Sequence, residues 1–136
     1  MFSKSCQYAI RAVLYLIAQK AHEKNVGVKE IADALQVPQQ FLAKILQQLS
    51  RHNLISSIKG PNGGFFLDEA NAKVSLLDIV ECIDGKGALT NCILGMPTCS
   101  VESPCPLHHH FYGSREGLKA TLSECEIGSL LGGKRC

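Results

Sequence analysis

Residues 28–67 read VKEIADALQVPQQFLAKILQQLSRHNLISSIKGPNGGFFL. Val28, Ile31, Ala32 and Leu35 recur at helical spacing, with Lys29, Glu30 and Asp33 on the other side, which predicts a short amphipathic helix. Gln36-Val37 then leaves room only for a tight connection to Pro38, a residue suited to a first helical turn because its missing N–H has no partner there anyway. The following helix runs to about Arg51 and is expected to bury Phe41, Leu42, Ile45, Leu46 and Leu49. Beyond it, Leu54-Ile-Ser-Ser-Ile58 and Phe65-Phe66-Leu67 flank the turn residues Gly60-Pro61-Asn62-Gly63-Gly64, the pattern of a β-hairpin.

Working outward, Tyr8, Ala9, Ala12, Val13, Leu16 and Ile17 mark an earlier helix over residues 3–21 with Ser3 as N-cap. Helix, helix, tight turn, helix and hairpin is the order of a winged helix-turn-helix, whose third helix enters the major groove. Downstream, Ser75 and Asp78 form a capping-box start, and Leu76, Ile79, Val80 and Ile83 continue a helix that Asp84-Gly85 closes. Residues 85–105 show no periodicity. From Pro106 a last long helix is expected, with Phe111, Leu118 and Cys125 seven apart and Leu107 and Leu122 flanking them, a narrow seam suited to pairing between subunits. The chain therefore divides into residues 1–84, a mainly α reader with a β-hairpin wing; 85–105, a cysteine-rich loop; and 106–136, a dimerisation helix and tail.

At 136 residues the chain suits one domain with an appendage, and no stretch approaches the length of a membrane span or the pattern of a signal peptide. Cytoplasmic residence is expected. Net charge is +2, but residues 1–67 carry eight Lys/Arg against three Asp/Glu, and residues 68–136 six against nine. A polyanion would meet only the first half. On the third helix the buried stripe leaves Gln39, Gln40, Lys44, Gln47, Gln48 and Arg51 outward, and no carboxylate occurs between Asp33 and Asp68. Glutamine offers paired hydrogen bonds to an adenine edge, and Lys or Arg reach guanine or phosphate. A solvated face usually mixes both signs of charge, so Gln39, Gln40, Lys44, Gln47 and Arg51 are candidate DNA contacts. Lys59, Pro61, Asn62 and Gly63 at the wing tip join them, since glycine there permits close backbone approach.

Seven cysteines in a chain of this kind point to ligands or sensors in preference to a disulfide framework. Cys6, Cys82 and Cys125 have apolar neighbours and read as core residues, and Cys136 as an idle terminus. Cys92, Cys99, Cys105 and His108 are spaced Cys-x6-Cys-x5-Cys-x2-His among Gly and Pro residues. Structural zinc favours cysteine pairs two to four residues apart, which are missing here; the wider gaps suit an iron–sulfur cluster, with another metal or a thiol–disulfide switch as alternatives. His108 is the nearest candidate for a fourth position. No arrangement of catalytic groups is suggested.

Ser3-Lys4, Gln7-Tyr8-Ala9, Arg11-Ala12, the run from Ile31-Ala32 to Phe41-Leu42, the wing Lys59-Gly-Pro-Asn-Gly-Gly-Phe65 and the three cysteines together resemble the Rrf family of bacterial regulators, which includes IscR, NsrR, RirA and CymR types. The resemblance covers nearly the whole chain. It implies a homodimer joined through the C-terminal helix, bound to a pseudo-palindromic double-stranded DNA operator. By the IscR-like pattern it also implies a [2Fe-2S] cluster on Cys92, Cys99 and Cys105 with His108 fourth, although the first gap is six residues where IscR types have five. Gln7 stands where NsrR types place an acidic ligand. Set against a regulator that senses iron–sulfur, redox or nitric oxide status are two other readings, a small electron-transfer iron–sulfur protein and a zinc-stabilised interaction module.

Overall fold

In the computed structural model, which describes residues 2–20 and 25–133, helix α1 spans Lys4–Lys20, α2 Val28–Leu35 and α3 Gln39–Arg51. Ser3 caps α1 as expected, its Oγ accepting from the Cys6 N–H at 3.0 Å. Alpha-helix α2 ends on Gln36 in the left-handed region (φ 56°), which compresses the turn, and Pro38 sits at the N-cap of α3, one position before its first helical residue. The three helices pack on one core in which Ala9, Val13, Leu16, Ile31, Leu42 and Leu46 are almost wholly buried. Phe41 departs from expectation. At 39% exposure it lies near the start of α3, with its ring at the surface against that of Tyr8 (5.7 Å, T-shaped), while the adjacent Leu42 takes the core position.

The wing is the antiparallel pair β1 (Ser56–Ile58) and β2 (Gly64–Phe66), with Ser57 opposite Phe65. It is stitched to the body by Val26, whose N–H and C=O exchange hydrogen bonds with Phe65 at 2.9 and 2.7 Å. A Cβ on Gly64 would lie 2.7 Å from the Val26 backbone, so this close approach requires glycine. A four-residue helix too short to show a periodic pattern, α4 (Glu69–Ala72), follows the wing.

Its Asn71 holds the root of the wing. The side-chain oxygen accepts from the Asp68 N–H and the Ser56 hydroxyl, both at 2.9 Å, while the amide donates to the Asn53 carbonyl at 3.2 Å. Asn71 is only 4% exposed. Replacing it by alanine orphans these partners in a buried place, each costing about 1–3 kcal/mol where water cannot reach it. We expect Asn71→Ala to lose about 2–3 kcal/mol of stability, read as a lower urea midpoint with an unchanged slope.

Helix α5 (Leu76–Asp84) starts with the expected capping box: Ser75 Oγ accepts from the Asp78 N–H, and Asp78 accepts from the Ser75 N–H. Gly85, at φ 86°, ends it, and a 3-10 turn over Lys86–Leu89 leads into the cysteine loop. The last long helix, α6, spans His108–Glu124, two residues later than Pro106, because Pro106 and Leu107 are taken up in the turn that closes the loop. On its expected seam Leu122 is buried, Leu118 half-buried and Phe111 39% exposed. Beyond α6 the chain returns to the body: Ile127, fully buried, donates its N–H to Val74 O at 2.8 Å. Cys125, buried as expected, is disulfide-bonded rather than free. Cys136 lies outside the described residues. No helix among the described residues is long and apolar enough to cross a membrane.

Candidate DNA interface and thiol centre

The outward side of α3 presents Gln39, Gln40, Lys44, Gln47 and Arg51, all exposed, as the helical period of its buried stripe requires. Gln48 does not belong with them. It is half-buried and turns inward, its Nε2 donating to the Cys82 carbonyl of α5 at 2.8 Å. Between α3 and the wing runs a groove of about 560 Å³, lined by Gln47, Ser50, Arg51, Ser57, Lys59 and Gly64 among others. Among the described residues its charged lining groups are the cations Arg51 and Lys59. Pro61 and Asn62 are exposed at the wing tip, and Gly63 is half-buried because it folds over the Ile58 carbonyl. The C-terminal part of the α3 face and the wing thus flank one groove with cations at its lip, a shape and charge suited to a nucleic-acid backbone, while Gln39 and Gln40 line a separate depression with Pro38 and Ala43.

The second feature is the loop between α5 and α6, which draws together thiols separated by thirteen residues. The sulfur atoms of Cys92, Cys99 and Cys105 all lie within 4.8 Å of one another, with Cys92 and Cys105 3.5 Å apart. Cys105 is buried and the other two are half-buried. His108, at the first turn of α6 and 9% exposed, brings Nδ1 to 3.4 Å from Cys99 Sγ while its ring stacks on Tyr112. It thus adjoins the triad through one thiol. Arg115, which no motif or spacing in the sequence marks, fastens the loop to α6 by donating to the Asn91 carbonyl at 2.7 Å. A cleft of about 640 Å³ beside it is lined by Cys92, Ile93, Phe111 and Leu118 among others.

Electrostatically the thiols differ. Cys92 is lowered to about 7, first by hydrogen bonding from the Met96 backbone, then from that of Leu94 and from the neighbouring thiols. At Cys99 the Cys105 N–H favours the thiolate, but burial and the facing thiols outweigh it and push the group up. Burial, then the charge of Asp84, raises Cys6 to about 12. A lowered pKa means thiolate accumulates above pH 7 and is lost below it. In metal-free protein, alkylation of Cys92 by iodoacetamide is therefore expected to reach half its maximal rate near pH 7, with Cys6 unmodified throughout the neutral range; mass spectrometry of peptides over a pH series checks both.

Three soft thiol donors converging on one point, with a loop able to adjust around them, fit a thiolate-bound metal centre. The Rrf2 family model, that of an iron-dependent transcriptional regulator, matches residues 2–133. A chain of Aquifex aeolicus named as an HTH-type transcriptional regulator is 33% identical over 133 residues, covering 96% of this chain and 88% of its own. The HTH-type transcriptional regulator NsrR of Oceanobacillus iheyensis is 28% identical over 107 residues, 78% of this chain and 72% of its own. Among solved structures, the fold matches CymR, the global cysteine regulator of B. subtilis, with a TM-score of 0.78 at 19% identity, covering 99% of this chain and 98% of that one. It also matches T. potens IscR, with a TM-score of 0.68 at 19% identity, covering 96% and 85%.

Proposed function

The chain belongs to the Rrf2 family of iron-dependent transcriptional regulators, and from that premise we propose that it works as a homodimer on a pseudo-palindromic operator, with an iron–sulfur cluster held by Cys92, Cys99 and Cys105. It is a regulator and no enzyme, as its relatives are. The observation that carries the sensing half is the convergence of the three thiols within 4.8 Å beside a buried histidine. When bound, an iron–sulfur cluster supplies redox- and iron-dependent ligation of those thiolates, lost on oxidation or reaction with nitric oxide. The rest follows from the chain's own residues. His108 is placed to complete or to hydrogen-bond the thiol set, and Arg115 ties the loop to α6, the helix proposed to join the subunits. Gln39, Gln40 and Gln47 read base edges, Lys44, Arg51 and Lys59 neutralise phosphates, and Pro61, Asn62 and Gly63 bring the wing backbone against the duplex. Two such units must match half-sites about one helical turn, roughly 34 Å, apart.

Selection from a randomised duplex library tests this reading. Enrichment of a two-fold-symmetric site with that spacing, bound with different affinity by iron-loaded and metal-free protein, is the expected result. Failure to enrich any duplex overturns the DNA role. Equal affinity of the two forms overturns the sensing role alone. A small electron-transfer iron–sulfur protein or a zinc-stabilised module predicts no salt-dependent duplex binding, and the carboxylate-free stretch from Ala34 to Leu67 has no use in either.

A further inference from the structure

The cysteine loop and the recognition helix α3 do not merely share a fold; the last turn of α5 connects them. The final carbonyls of a helix have no N–H partner within it and must find one elsewhere. For Cys82 that partner comes from a different helix, as Gln48 Nε2 donates to its carbonyl at 2.8 Å, and the Cys82 thiol lies 3.9 Å from the Gln48 carbonyl in return. On another side of the same turn, Asp84 accepts from the Ser3 N–H at 3.1 Å and from the Ser3 hydroxyl, the group that caps α1. Below it, Val80 packs with Cys6, Leu89 and Leu122 in an apolar cluster that joins α5 to α1, α6 and the start of the loop. Gly85 ends the turn in a conformation that side chains rarely adopt, and Cys92 follows seven residues later.

Resting on the regulator reading above, we infer that Gln48 is the positioning residue through which the state of the cysteine loop reaches the DNA-reading helix. When the three thiols are tied together, the loop anchors the end of α5 and holds the Cys82 carbonyl against Gln48. When they are released, that turn loses its anchor on one side, its carbonyl parts from Gln48, and the C-terminal turn of α3 relaxes. That turn carries Gln47 and Arg51, so their placement against the duplex changes without either residue touching the loop. Gln48 itself faces inward and reads no base. Coupling needs a two-state element that both sites bias, and in this inference the last turn of α5 takes that role.

The test compares wild type with Gln48→Leu, which keeps the bulk and removes the donor, and Gln48→Lys, which restores a donor. Each is measured on the selected duplex, iron-loaded and metal-free, alongside iron content, visible spectrum and amide hydrogen exchange at residues 51–53. Wild type is expected to show an affinity ratio between the two forms of about 5-fold to 150-fold. In Gln48→Leu the ratio collapses to within about twofold, with iron content and spectrum unchanged and equal exchange in both forms. Wild-type exchange at those amides quickens on metal removal, and Gln48→Lys recovers the ratio. A Gln48→Leu protein that keeps the wild-type ratio, or that weakens both forms equally, overturns the inference while leaving the regulator intact. A wild-type ratio of one removes the sensing reading and this inference with it.

Discussion

Alanine at Cys92, Cys99 or Cys105 is expected to cut the iron and sulfide carried by anaerobically purified protein at least about tenfold, since even groups that only orient a metal ligand typically cost 10- to 100-fold in affinity when removed. The loss should come without unfolding. None of the three cysteines belongs to the two apolar clusters that hold the helices, so the melting temperature of the metal-free forms should shift little. Cys82→Ala is the matching control, because its thiol faces Gln48 rather than the triad. His108→Ala sits between these cases: it removes one neighbour of Cys99, and a cluster that forms but decays faster is the expected result. Iron analysis, labile sulfide and the visible spectrum read all of these together. Full iron retention in the three alanine variants sinks the assignment, and a colourless protein carrying zinc replaces it with a tetrahedral structural site.

The reader half of the molecule was legible because its signals are local. Periodicity placed α1, α2 and α3 to within a residue or two, and the Gly-Pro-Asn-Gly-Gly string placed the wing turn. Short-range capping chemistry located Ser3 and Ser75. What escaped depends on partners distant in sequence. Val26 reads as part of a break before α2, yet it pairs with Phe65, 39 residues on, and no local pattern announces a single bridge. Gln48 follows Gln47 on the polar side of the helical pattern, and only the arrival of α5, 34 residues later, turns Gln48 inward while Gln47 stays exposed. Phe41 has an apolar side chain at a core phase but rests at the surface against the Tyr8 ring, 39% exposed, so periodicity overstates its burial.

The thiol centre divides in the same way. Cysteine spacing identified the three residues that meet, since a loop rich in glycine and proline can bring them together without regular structure. Spacing says nothing about what fastens that loop, and the Arg115 contact to the Asn91 carbonyl comes from a helix whose own sequence pattern is weak, interrupted at Gly113 and Gly117. The histidine is equally ambiguous in sequence, being one of three in a row; burial and the stack on Tyr112 single out His108, while His109 and His110 stay exposed.

Charge reversal at Lys44 and Arg51 together is expected to weaken duplex binding by about three orders of magnitude in low salt, because the proposed homodimer would lose four cations proposed to face phosphates and gain four repulsive carboxylates. Both side chains are exposed on α3, and they occupy a stretch from which every carboxylate is missing, so stability should hardly change. The salt dependence separates this from a folding defect: each lost phosphate contact flattens the slope of log affinity against log salt by about one. Gln47→Ala should behave differently. It costs about 1–3 kcal/mol on the selected site and little on random duplex, since a base-edge contact carries discrimination and leaves the salt slope intact. Fluorescence anisotropy over a salt series, on selected and scrambled duplexes, distinguishes the two classes. An unchanged slope in the Lys44→Glu, Arg51→Glu protein would place the duplex on some other face of the molecule. A Gln47→Ala variant that weakens both duplexes equally would assign that residue to holding the backbone instead of reading the base.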